Sequence, residues 1–281
     1  MEYNLKDYCA DGTSFKEEMI SVSENVSLKL ITFIPPIKNN NPEIVFIPGW
    51  ISMMKGWQSV LLEMTKDFTV YYLETREKIS SQVFGKAEYS VEAIGYDIIK
   101  LLELLSLKEK AFVLLGSSLG ATAIIDCCKD LKVKPKCLVL IGPNAEFIIP
   151  WWGVILIKCF YPPMYNFIKP YIKWYLKTFR LDIKHDAEQF EKYSGVLDYA
   201  DPMKLKHAAL SVCKYSVWNL LDKINYPTLI LGGSKDKLHE PENLKRIVSS
   251  LKNATYVDMQ TNKGTHSREV VDEIRKYLST I

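Results

Sequence analysis

Histidine is scarce in this chain. Among 281 residues there are only His185, His207, His239 and His266, so chemistry that needs an imidazole has four candidates. Charge of one sign is scarce too. The 36 basic and 33 acidic residues leave a formal +3, and no Lys/Arg-rich run appears. That balance offers no electrostatic footprint for nucleic acid. The six cysteines (9, 127, 128, 137, 159 and 213) form neither a C-x-x-C pair nor a zinc spacing. No metal or organic cofactor is expected. Cys127, Cys128 and Cys137 lie in apolar stretches and read as reduced core thiols. Residues 147–157 are strongly apolar, but they fall short of the roughly 20 residues that cross a bilayer and contain Pro150. The N-terminal residues are polar and acidic, without a signal-peptide core, and a cytoplasmic location is expected. No internal repeat or low-complexity tract is evident.

What is present is alternation. Residues 19–22 and 26–33 alternate apolar and polar like paired antiparallel strands, turning near Glu24 and Asn25. Continuous apolar runs at 43–47, 68–73, 111–116 and 137–141 read as buried strands. Helical periodicity lies between them. Trp57, Val60, Leu61 and Met64 share one face, and Val91, Ile94, Ile98, Leu101, Leu102 and Leu105 share another behind a capping Ser90. Strand, helix and strand in short succession predict a mostly parallel sheet covered by helices on both faces, an α/β fold. After Gly142 the rhythm stops. Residues 145–215 contain no convincing strand and are crowded with aromatics, and alternation resumes at 227–233 with a helix behind Pro241, a strand at 254–258 and a closing helix. The expected organisation is an α/β core over 1–144, a helical cap over 145–215 and the rest of the core over 216–281.

The chain turns on Gly116-Ser117-Ser118-Leu119-Gly120, a G-x-S-x-G between an apolar strand and a helix. A sharp turn there forces its central residue into a strained backbone and exposes the Ser118 hydroxyl at the sheet's edge. The simpler reading is a Ser/Gly-rich connection without chemistry. The flanking strand and helix favour a nucleophile. A serine nucleophile needs a base, and the base needs a carboxylate to hold its tautomer. In a doubly wound sheet such groups gather at the carboxyl ends of strands. His266 follows the last strand through a polar loop, whereas His185 and His207 read as surface residues. His239, after the preceding strand, is the rival base. Asp236 leaves the strand at 227–233 through two glycines and is the candidate acid, with Glu146 a replacement and Glu240 a weaker one. Two backbone N–H donors should face the developing oxyanion. One is Leu119. The other comes from Pro48-Gly49-Trp50, and because proline has no N–H, Trp50 is the choice.

The order Ser118, Asp236, His266 resembles the α/β-hydrolase superfamily over nearly the whole chain. The elbow around Ser118, the Gly-x-x-Asp form of Gly233-Ser234-Lys235-Asp236 and the ending Gly264-Thr265-His266 carry the likeness. The resemblance implies a Ser-Asp-His catalytic triad, an oxyanion hole and an inserted cap. There are two departures. Many relatives carry His-Gly where this chain has Pro48-Gly49, which removes one polar contact behind the oxyanion loop. The loop at residues 74–81 lacks both glycines of the form Asp-x-Arg-Gly-x-Gly-x-Ser that relatives often show. A serine in place of an aspartate nucleophile argues against epoxide hydrolase or haloalkane dehalogenase chemistry.

Lys169, Lys173 and Lys177 recur every fourth residue among aromatics, giving a basic and an aromatic helix face. The simpler reading is a solvated basic face over the cap's own core, and the sharper one is an interfacial lid that touches lipid. An apolar pocket under the cap favours a small hydrophobic ester or thioester as substrate. The chain is thus expected to be a serine hydrolase. An acyltransferase, a C–C hydrolase or a lyase could use the same three residues, and a non-catalytic ligand-binding member of the fold is the alternative from another class.

Overall fold

The computed structural model describes residues 4–50, 52–107, 111–180, 187–236 and 241–281. Two antiparallel strands come first, β1 (Ser14–Ser23) and β2 (Val26–Ile34), joined by the turn at Glu24 and Asn25. The apolar runs then become β3 (Glu43–Ile47), β4 (Val70–Leu73), β6 (Phe112–Ser117), β7 (Cys137–Ile141), β8 (Thr228–Gly232) and β9 (Ala254–Asp258). β4 starts two residues later than its apolar pattern, at Val70, and a two-residue strand, β5 (Gln82–Val83), pairs with β2. The sheet runs β1-β2-β4-β3-β6-β7-β8-β9. Every neighbouring pair from β4 to β9 is parallel.

Side chains alternate between the two faces of each strand, so the central strands feed two cores. Ile44 and Phe46 of β3 and Val113 and Leu115 of β6 join one core with helices α1 (Gln58–Met64) and α9 (Glu269–Leu278). Val45, Ile47, Phe112 and Leu114 point the other way, toward α2 (Val91–Leu104), α3 (Leu119–Cys127) and α8 (Pro241–Ser250). The periodicities hold at residue level. Trp57, Val60, Leu61 and Met64 are all buried, and the Ser90 side chain accepts from the Ala93 N–H at the start of α2. All six cysteines are free, with Cys127 and Cys137 buried and Cys128 half-buried.

Between β7 and β8 the described residues form α4 (Trp151–Cys159), α5 (Tyr165–Tyr175), α6 (Ala187–Tyr199) and α7 (Pro202–Val212). The two ends of this helical segment meet in a bridge between Glu146 and Ser216, next to a Val217 N–H to Ala145 O bond of 2.8 Å. No helix among the described residues is long and apolar enough to cross a membrane.

The orientation of α5 corrects the expectation of a solvated basic face. Lys169 and Lys173 turn inward and pair with Asp198 of α6 at 3.0 and 2.8 Å, while the Tyr165 hydroxyl donates to Leu197 O. The opposite side of α5 carries Phe167 (76% exposed) and Tyr171 (73%) into solvent, with Trp174 beside them. One carboxylate marks this inward side, because two ammonium groups of α5 converge on Asp198.

Candidate active site

Ser118 stands between β6 and α3 with φ 48° and ψ −114°. That positive φ costs a non-glycine residue about 1–3 kcal/mol and persists only where the surroundings enforce it. Here the Ser118 N–H donates to Ile141 O of β7 at 2.9 Å, and its carbonyl accepts from the Thr122 N–H at 3.0 Å. The flanking glycines are there for space. A Cβ on Gly120 would sit 2.1 Å from Ile47 O, and one on Gly116 would sit 2.7 Å from Ala121 N. The elbow is therefore pressed against the end of β3. A Cβ on Gly49 would lie 3.2 Å from the Ser118 Cβ, so the Pro48-Gly49-Trp50 turn abuts the serine. Leu119 opens α3, and N–H groups of a first turn have no partner within their own helix.

Asn144, just past β7, was missed in the sequence. Its Nδ2 donates to Ser118 Oγ at 3.3 Å, and its carbonyl accepts from Thr122 Oγ1 at 2.7 Å. The rule that reactive groups collect at strand ends would have found it.

Asp236 and His266 meet on one residue, Asn262, also missed. Asn262 is buried; its Nδ2 donates to Asp236 Oδ2 at 2.9 Å and its carbonyl lies 2.9 Å from His266 Nδ1. A carbonyl oxygen only accepts, so Nδ1 carries the hydrogen, and in the neutral ring this leaves the lone pair on Nε2, the tautomer a general base needs. Thr265 Oγ1 also reaches Nδ1, at 3.1 Å. His266 closes a single 3-10 turn, Gly264–His266, ahead of α9. Its ring packs on Trp57 with centroids 4.2 Å apart, and Trp57 Nε1 donates to Ser52 Oγ. The Ser52 N–H in turn donates to Gly49 O, so one chain of contacts joins the imidazole to the turn beside Ser118.

The alternatives separate. Glu146 takes part in the bridge that closes the helical segment. His207 is exposed and stacks on Tyr89. His185, His239 and Glu240 lie outside the described residues.

Behind the turn, the loop at residues 74–81 is held by buried charged groups. Arg76 forms a buried two-pronged pair with Asp97 at 2.5 and 2.8 Å. Burial pushes the Asp97 carboxyl up, and Arg76 pulls against it. Lys78 is buried, donates to Gly49 O at 2.6 Å and sits 3.1 Å from Glu77. Burial lowers its pKa and the Glu77 carboxylate opposes that shift. Lys204 of α7 fastens the helical segment to this loop, donating to Lys78 O at 2.8 Å and Ser81 O at 2.5 Å. No group of three or more potential metal ligands occurs among the described residues.

A mostly parallel sheet in this strand order, with a strained serine at the end of β6 and the other polar groups at neighbouring strand ends, is the α/β-hydrolase fold. Solved structures of that fold superpose over nearly the whole chain. A hydrolase from Pseudomonas aeruginosa PA01 matches at a TM-score of 0.75 with 18% identity, covering 94% of this chain and 97% of its own. A thermophilic esterase from Thermogutta terrifontis has the same score and identity, covering 94% and 98%. A bromoperoxidase from Bacillus anthracis matches at 0.72 with 17% identity, covering 94% and 100%. No protein-family model matches the chain, and no curated protein does. At these identities the likeness is one of fold.

Proposed function

We propose that the protein is a serine hydrolase that cleaves a carboxylic ester or thioester of a hydrophobic acyl group. The observation that carries the reading is the strained Ser118 on its elbow, pressed against the Gly49 turn. Support comes from the His266 tautomer fixed by Asn262, which also holds Asp236, and from the hydrolase and esterase named among the similar folds.

In the proposed reaction, Ser118 Oγ bonds to the carbonyl carbon as His266 Nε2 takes its proton. The carbonyl electron pair moves onto oxygen, where the N–H groups of Leu119 and Trp50 receive it. Collapse breaks the bond to the alkoxide or thiolate, which leaves with the proton from His266. Water, deprotonated by the same nitrogen, then releases the acid. Asp236 holds the His266 loop and favours its cationic form. Within the same fold, transfer of the acyl group to an acceptor other than water would use these residues too.

The segment between β7 and β8 serves in this reading as a cap, and its outer surface points to a lipid source for the substrate. Trp151 and Trp152 of α4 and Phe167 and Tyr171 of α5 are exposed. Residues 147–180 include Lys158, Lys169, Lys173, Lys177 and Arg180 and no acidic residue. Lys158 and Lys177 are exposed on the same segment, and an aromatic surface accompanied by such cations suits the headgroup region of an anionic bilayer. Vesicle co-sedimentation tests it.

The catalytic assignment is tested by fluorophosphonate labelling read out by intact mass. Wild type should gain one adduct and hydrolyse p-nitrophenyl acyl esters, and Ser118→Ala should do neither while keeping its unfolding temperature. An adduct on the Ala variant, or turnover near the wild-type rate, would refute the assignment.

A further inference from the structure

The peptide that links Gly49 to Trp50 is gripped from behind. Gly49 O accepts from Lys78 Nζ at 2.6 Å and from the Ser52 N–H at 3.1 Å, so both of its lone pairs are engaged. No cis peptide occurs among the described residues. In a planar trans unit the N–H points away from the carbonyl oxygen, so the Trp50 N–H is directed opposite to the Lys78 ammonium. The front of the same turn faces the serine, at the 3.2 Å separation between Gly49's Cβ position and Ser118 Cβ.

We propose that Lys78 is a positioning residue for the oxyanion hole: bound to Gly49 O, its ammonium fixes and polarises the peptide whose other end, the Trp50 N–H, stabilises the oxyanion formed at Ser118. This deepens the serine hydrolase reading and rests on it. A cation on the carbonyl draws electron density through the amide and makes its N–H a stronger donor, and the effect is larger where water is excluded. The pocket around Lys78 is built to keep it there. Glu77 pairs with its ammonium, Thr75 Oγ1 holds Glu77, and Lys204 clamps the Lys78 carbonyl from α7. Burying an ammonium costs several kcal/mol before its partners compensate, so packing alone gives no reason for it.

The two departures from the family pattern then explain each other. Pro48 removes a polar contact behind the oxyanion turn, and the loop without its glycines brings Lys78 to the Gly49 carbonyl.

The test uses the full chain, p-nitrophenyl butyrate and butylboronic acid, whose tetrahedral serine adduct places an oxygen in the oxyanion hole. Lys78→Met should lower kcat by about tenfold or more, less than the loss of a donor outright, with KM within about threefold. Its affinity for the boronic acid should fall by a similar factor. Lys78→Gln, which can donate without charge, should lie between. Should Lys78→Met not fold because Glu77 loses the ammonium beside it, the double variant Glu77→Gln/Lys78→Met removes both charges and is measured in its place. An unchanged kcat and boronate affinity, or a rise in KM alone, overturns the role of Lys78 while wild-type turnover leaves the hydrolase reading standing. A wild type that neither labels nor hydrolyses esters overturns both.

Discussion

Gly120 shows how little freedom the residues around Ser118 have. Its missing side chain lets α3 start against the carbonyls of Ile47 and Pro48, both backbone atoms that cannot rotate away. Gly120→Ala should therefore destabilise the fold by more than about 3 kcal/mol, through overpacking against fixed backbone. Thermal unfolding checks it, and a melting temperature within a degree or two of wild type would show that the elbow yields. At this scale the turn at Ser118 and the places of Asp236 and His266 after β8 and β9 were legible, because turn chemistry and strand ends are local features. Asn262 and Lys78 were not. Asn262 becomes a shared partner only when β8 and β9 lie side by side, and Lys78 reaches Gly49 across 29 residues of chain.

The helices between β7 and β8 pose the question at the scale of the element. Periodicity along α5 separates a basic from an aromatic face but does not say which one is outward. Asp198, 25 residues beyond Lys173, settles it by drawing the lysines toward α6. The exposed aromatics then make vesicle binding a prediction of the element as a whole. Wild type should co-sediment with vesicles containing phosphatidylserine and bind less at high salt. Trp151→Ser/Phe167→Ser should reduce binding by about tenfold or more, since each loses a large buried apolar area. No wild-type binding removes the lipid proposal. A dimer in light scattering that disappears in the same variant would assign the surface to a second copy of the chain.

For the whole molecule, Arg275 ties the end of the chain to its beginning. It donates to Asp67 at 2.9 and 2.7 Å and to the Glu63 carboxylate at 2.8 Å, so α9 is pinned to α1 across more than 200 residues. Arg275→Met should cost about 1–2 kcal/mol at neutral pH, as expected for charged hydrogen bonds at a partly exposed site. The bond from Lys66 holds the Glu63 carboxyl below its ordinary value, against burial and with help from Arg275. A carboxyl lowered in the folded state stabilises above its unfolded value, about 4.3 for Glu. That contribution is lost as pH falls through the folded value. The difference in unfolding temperature between wild type and Arg275→Met should shrink as pH drops from neutral toward 3; a constant difference would rule out the carboxylates as Arg275's partners in solution.

By itself, the sequence determined the parallel sheet, the two-sided helical cover and the turn at Ser118, because periodicities of two and 3.6 residues and a glycine pattern are written into neighbouring positions. Tertiary structure alone decided which side of α5 faces water and which lysine stands behind the Gly49 turn. Both depend on which charge finds which partner once distant segments are packed, and no local periodicity records that.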